Sequence, residues 1–247
     1  MKAILICSTL VILGTIQLPA QKITAPGVKW KDSYTFDRHN EMKVDFYGRD
    51  QKLIRTLVYR TWYRQEGKEV VTTESGLHIP KHDYLVELDA PAKGNDTQTI
   101  FDMTNEVAIQ IFGSDLDEPM YNAGRFKFPE GSEIKRLQLV ATEETRTIAG
   151  YLCSKYTYTY KAITGSVWIT KEVTLPNDFG IFRAAKMSAL HNTLSDEGFI
   201  LEMTSEDARG GKTVMTTVAL VQPGSKTITL PRDKVGTAIN KVSYFTF

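Results

Sequence analysis

Apolar and polar positions alternate with a period of two along most of this chain. The runs are short, rich in Tyr, Thr, Val, Ile, Phe and Trp, and punctuated by Gly, Asn, Asp and Pro. Successive side chains of a strand point to opposite faces, so this pattern predicts β-structure with a buried face. Met42–Tyr47 alternates and ends on a turn at Gly48-Arg49-Asp50. Leu53–Arg64 fits a helical stripe as well as a strand. Its stretch Val58-Tyr59-Arg60-Thr61-Trp62-Tyr63 is β-branched and aromatic, which favours a strand. Gln65-Glu66-Gly67-Lys68 would then join it to Glu69–Thr73 as a hairpin.

Further strands are predicted at Tyr84–Leu88, Thr99–Met103, Val107–Phe112, Leu137–Thr142, Gly150–Tyr160, Ser166–Leu175, Phe199–Thr204 and Thr213–Val221. Within them Tyr156, Tyr158 and Tyr160 share one face. Residues 113–132 are polar, carry Gly and Pro, and read as a long loop. A single helix is predicted over Phe182–Leu194, where Phe182, Ala185, Met187, Ala189, Leu190 and Leu194 fall near one side. The fold class expected is mainly β: one antiparallel sheet with one or two helices packed on it, forming a single domain over residues 21–247.

The first twenty residues change the picture by locating the protein. Lys2 precedes an apolar run, Ala3–Leu13, and Leu18-Pro19-Ala20 ends in the small residue that signal peptidase needs. A periplasmic or secreted location follows, with cleavage near Ala20. The run is too short to span a bilayer, and no later segment reaches about 18 apolar residues, so no transmembrane helix is expected. Lys+Arg number 30 and Asp+Glu 29 in the chain. Removing Lys2 with the leader leaves 29 of each, which argues against nucleic acid as a partner. Of the two cysteines, only Cys153 lies outside the leader, which excludes a disulfide scaffold and a Cys-rich metal site.

Candidate chemistry is sparse. His78 and His82 stand four apart, but Pro80 between them opposes the helix that this spacing would need, and both read as loop histidines. Asp115-Leu116-Asp117-Glu118 lacks the spacing of a calcium loop. Arg55, Arg60 and Arg64 around Trp62 would suit an anion, but equally suit the wet face of a strand. No Ser stands in a Gly-x-Ser-x-Gly frame, and no nucleophile, base and orienter assemble. No enzymatic activity, catalytic residue, metal or cofactor is expected. The C-terminal Tyr244–Phe247, with aromatics alternating and a final Phe, has the form of a last barrel strand. Charges such as Lys155, Lys161, Lys171 and Glu172 break the lipid-facing pattern that a barrel requires, leaving an edge strand or interaction tail as the better reading.

One stretch adds a resemblance. Ile148-Ala149-Gly150-Tyr151-Leu152-Cys153-Ser154-Lys155-Tyr156, followed by Val167-Trp168-Ile169-Thr170, resembles a secreted domain-of-unknown-function family common in Bacteroidota. Thr99-Ile100-Phe101-Asp102-Met103 and Gly198-Phe199-Ile200-Leu201-Glu202-Met203 match further, so the resemblance spans about residues 95–232. That family is grouped with LolA, LolB and LppX envelope proteins. The resemblance implies a curved, unclosed half-barrel with helices on its concave side and a cavity for acyl chains. On this reading Trp62, Tyr156, Tyr158, Trp168, Met187 and Leu190 line the cavity, and the partner is a lipid or a lipoprotein acyl chain. The alternatives are a structural or envelope protein-interaction module and, third, an outer-membrane β-barrel.

Overall fold

A computed structural model describes residues 25–131, 135–194 and 198–246. The predicted export leader therefore lies outside the described residues, as does Phe247. The chain is mainly β. Strands β1 (Ser33–Tyr47), β2 (Leu53–Tyr63), β5 (Tyr84–Asp89), β6 (Thr97–Asp102), β7 (Val107–Phe112) and β8 (Met120–Lys127) make one half of a large sheet. Strands β9 (Leu139–Ile148), β10 (Tyr151–Tyr160), β11 (Ile163–Thr170), β12 (Phe199–Asp207) and β13 (Lys212–Thr229) make the other. The antiparallel pairing of β1 with β13 joins the halves. Two short strands, β14 (Val235–Thr237) and β15 (Val242–Ser243), pair in parallel with β8, giving thirteen strands in all. The sheet runs from β14 to β9 without closing. A separate hairpin, β3 (Val70–Thr72) with β4 (His78–Pro80), stands beside it.

Turn chemistry explains several joints. β9 and β10 meet through Ala149-Gly150, both with positive φ, between the paired Ile148 and Tyr151. Two successive positive φ values make the turn whose twist matches the strands it joins. β13 is long but kinked: its register with β1 slips across Pro223, where a proline cannot donate to the ladder. A Cβ on Gly224 would sit 2.8 Å from the Trp62 ring, so only glycine lets the kinked strand pass Trp62. Beyond the kink, the ribbon of β1 and β13 folds over one face of the first half. Tyr34, Phe36 and Leu230 pack there with Leu85, Ile100 and Ile109. The Tyr34 hydroxyl donates to the buried Asp102 at 2.7 Å and fixes the ribbon in place.

The opposite face carries helices α1 (Ile181–Ala185) and α2 (Ser188–Leu194). Ile181, Ala189 and Leu190 join Met42, Val44, Leu57, Tyr158, Val167 and Ile200 in one core. Successive strand residues therefore enter different cores: Tyr84 and Phe101 lie on the helix side, Leu85 and Ile100 under the ribbon. At about 25 cal/mol per Å² of apolar surface, double-sided burial of this kind is the main stabilising term of the first half.

Four expectations are corrected. The single helix Phe182–Leu194 is two helices, because Lys186 adopts φ 52° and its N–H caps the carbonyls of Phe182 and Arg183. The loop 113–132 contains β8, whose inward residues Ala123 and Phe126 are buried while its neighbours are polar. The hairpin drawn from Tyr63 to Thr73 does not form, since β2 pairs with β1 and β5, and β3 pairs with β4. The C-terminal segment forms a short edge strand at Val242–Ser243, and Tyr244 after it is fully buried rather than presented as an interaction tail.

Candidate functional site

Two features meet beneath α1: a sealed polar knot and an open cleft. The knot is built from residues that lie up to 160 positions apart. Asp178, just before α1, has no solvent exposure, and the side chains of Arg183 on α1 and His191 on α2 are 5% and 1% exposed. Asp178 Oδ2 accepts from Arg183 Nη2 at 2.9 Å, from the Tyr84 hydroxyl at 2.7 Å and from the Tyr244 hydroxyl. Arg183 also donates through Nη1 to the Tyr244 carbonyl at 2.7 Å and through Nη2 to the Tyr84 hydroxyl at 3.0 Å. Its guanidinium stacks 4.1 Å from the Tyr244 ring and 4.4 Å from the Phe101 ring. His191 Nδ1 lies 3.3 Å from Asp178 Oδ1, and its ring packs 4.2 Å from Phe182.

The electrostatics follow from that enclosure. Burial opposes ionisation of Asp178, but Arg183, His191 and the Tyr244 hydroxyl outweigh it and hold the carboxyl well below the usual carboxylate range. Burial likewise opposes the charge on Arg183, and Asp178 restores it. Burial and the neighbouring carboxylate push the Tyr84 and Tyr244 phenols well above 10. The knot thus holds a buried, hydrogen-bonded ion pair. It clamps the C-terminal segment onto both helices and β5.

The cleft is lined by the sheet itself. Across β2, β5, β6 and β7, one row of facing residues runs Tyr59, Leu88, Thr97, Phe112, and the next runs Thr61, Val86, Thr99, Gln110. A third row, Tyr84, Phe101 and Ala108, lies under Arg183. Tyr59, Leu88, Thr97, Phe112, Val86, Thr99 and Gln110 of the first two rows line a cleft of about 270 Å³, together with Phe101, Arg183 and Lys186. Apolar walls with a few polar groups at fixed points are the usual character of a small-molecule site. Depressions of about 540 and 740 Å³ elsewhere are wider and open to solvent.

Of the residues expected to line a cavity, Tyr158 borders the depression of about 540 Å³, and none lines the cleft under α1. Tyr158, Leu190, Tyr156 and Met187 pack in the helix-side core, Tyr158 and Leu190 buried and the other two at its edge. Burial drives the Tyr158 phenol up to about 12. Trp62 points to the ribbon face, stacks 4.5 Å from His39 and donates its indole N–H to Glu87. Trp168 stands opposite Lys155, on the other face from Tyr156, with the Arg146 guanidinium 4.1 Å from its ring. Arg60 pairs with Glu41 and Asp89, and Arg64 pairs with Glu66, so these cations are already partnered. Asp115 accepts from the Gly94 N–H at 2.7 Å and staples a turn. Among the described residues no cluster of His, Cys, Asp and Glu would hold a metal ion, and no helix is long and apolar enough to cross a membrane.

Sequence reasoning passed over Asp178, Arg183 and Tyr84. One signal was available: Arg183 is the sole charge in Phe179–Ala185, and a charge within an apolar run is a candidate for paired burial.

No protein-family model matches this chain, and no curated protein matches it. Among solved structures it is similar to PNGF-II in the C2 space group, at 13% identity over 81% of this chain and TM-score 0.39. It is similar also to PNGF-II in the P21 space group, at 14% identity over 82% and TM-score 0.37. The match covers 31% of the PNGF-II chain in each case, and a likeness this loose carries nothing over to the present chain.

Proposed function

We propose that this chain is an exported, non-enzymatic protein that binds a lipid or other hydrophobic ligand in the cleft between the sheet and α1. The observation that carries this reading is the cleft of about 270 Å³ on the face formed by Tyr59, Leu88, Val86 and Phe112. An open sheet with helices on one face is compatible with the half-barrel layout of LolA-like envelope proteins. The leader supplies the reason for export. The knot's carboxylate and imidazole pack among Phe182, Phe245, Tyr84 and Tyr244, which supports a structural role for them.

Size and affinity follow together. At about 30 Å³ per water-sized group the cleft takes roughly nine heavy atoms. Burying eight methylenes at ~0.8 kcal/mol each gives ~6 kcal/mol before the entropic cost of association, a ceiling of about 20 μM that this cost moves to the millimolar range or weaker. The test is to purify the protein without detergent, record its native mass, and extract the sample with solvent. A bound mass that extracts as an apolar compound supports the reading. A clean apo mass, together with no uptake of 1-octanol by the purified protein, contradicts it.

A further inference from the structure

The cleft carries its own charge preference. Its lining includes two cations, Arg183 and Lys186, and no carboxylate. Arg183 has committed both terminal nitrogens to Asp178, Tyr84 and Tyr244, and its Nε is buried out of reach of the cleft, so Lys186 is the cation of the lining that a ligand can touch. Lys186 forms no ion pair among the described residues, and its side chain is exposed. It occupies the left-handed position that ends α1, where glycine is the ordinary residue. A lysine there keeps an ammonium in the lining of the cleft.

We infer that the ligand of this cleft is an amphiphile with a carboxylate head, held by Lys186, with its tail lying along Tyr59, Val86, Leu88 and Phe112. This rests on the hydrophobic-ligand reading above and specifies it. Carboxylate is the head of choice because the exposed Lys186 ammonium offers a single point charge. The forked face of Arg183, which would grip a larger anion bidentately, is already occupied. Thr97, Thr99 and Gln110 add neutral polar groups on the opposite wall and no competing negative charge.

The experiment titrates the purified full chain at pH 7 with octanoate, 1-octanol and octyltrimethylammonium, probes that share one tail and differ in the head. Octanoate is expected to bind at least tenfold tighter than octanol, and the cation weakest. Lys186→Gln lies on the surface and leaves the knot intact. It is expected to weaken octanoate about fivefold while leaving octanol unchanged, and raised salt is expected to do the same. Octanoate and octanol binding within twofold of each other would overturn the carboxylate head and leave the hydrophobic cleft standing. Tightest binding of the cation would also overturn it. Binding of none of the three overturns both readings together.

Discussion

Replacing Asp178 by Asn removes one charge from the knot while keeping its shape. At 2.9 Å and an effective dielectric constant near 20, the attraction between Asp178 and Arg183 is about 6 kcal/mol. Desolvating each ion costs several kcal/mol, so the intact pair comes close to breaking even against an apolar pair of similar volume. The single substitution does not break even: Arg183, with its side chain 5% exposed, keeps its charge and loses its counter-ion. The expected loss is about 3–5 kcal/mol, out of a total stability of order 5–15 kcal/mol. For a chain of this size that lowers the melting temperature by roughly 10 °C or more. Arg183→Met is expected to cost a similar amount by stranding Asp178. The double variant, Asp178→Asn with Arg183→Met, should then recover part of the sum, with a coupling of about 2–4 kcal/mol. Urea denaturation followed by the fluorescence of Trp30, Trp62 and Trp168 measures all four proteins. Single losses that add to within about 0.5 kcal/mol in the double variant would refute the description of Asp178 and Arg183 as a coupled buried pair.

The same groups set the pH range of stability. The carboxyl of Asp178 titrates lower in the folded than in the unfolded chain, so its contribution is present above the unfolded value near 4 and is lost as pH falls. The phenols of Tyr84 and Tyr244 titrate higher when folded, so theirs is present below about pH 10 and is lost as pH rises beyond it. Urea midpoints across pH should form a plateau falling at both ends, and a curve level from pH 8 to 11 contradicts the burial of these phenols. Gly165→Ala is expected to destabilise by about 1–3 kcal/mol or more, because its Cβ would overlap the Thr204 carbonyl oxygen and lie 2.6 Å from the Tyr158 hydroxyl. Gly131→Ala, which meets nothing within 4 Å, should stay within about 0.5 kcal/mol in the same melts. Cys153 is fully buried, and burial pushes its thiol up, so a disulfide-exchange reagent should label it only in urea; prompt labelling of the native protein refutes that placement.

Alternation made the strands legible, and it worked best where burial is regular. Val107–Phe112 occupies the residues expected of it, because its apolar positions are nearly continuous and both faces are covered. Strand β8 escaped notice because Asn122, Gly124 and Arg125 dilute its pattern; Ala123 and Phe126 serve two different cores. The break between α1 and α2 carries no local punctuation, since Lys186 is neither glycine nor proline. The cap is fixed instead by the lock of Arg183 onto Asp178 and by the bonds that tie Leu137 to α2 through Ala189 and Thr193. The cleft was least legible. Its lining residues come from four strands and a helix and converge only through the register that sets Tyr59, Leu88, Thr97 and Phe112 side by side. The aromatics that stand out in sequence, Trp62 and Trp168, are turned to other faces by the same alternation that made their strands recognisable.

The central claim is that the ligand sits on the face of β2, β5, β6 and β7 beneath α1. Methyl-resolved NMR of the labelled protein during titration with 1-octanol tests it most directly. Shifts confined to Val86, Leu88, Thr97 and Thr99, with Leu190, Met187 and Ile200 unmoved, are the predicted result. Shifts centred on Leu190, Met187 and Ile200, or none at any methyl, would contradict it.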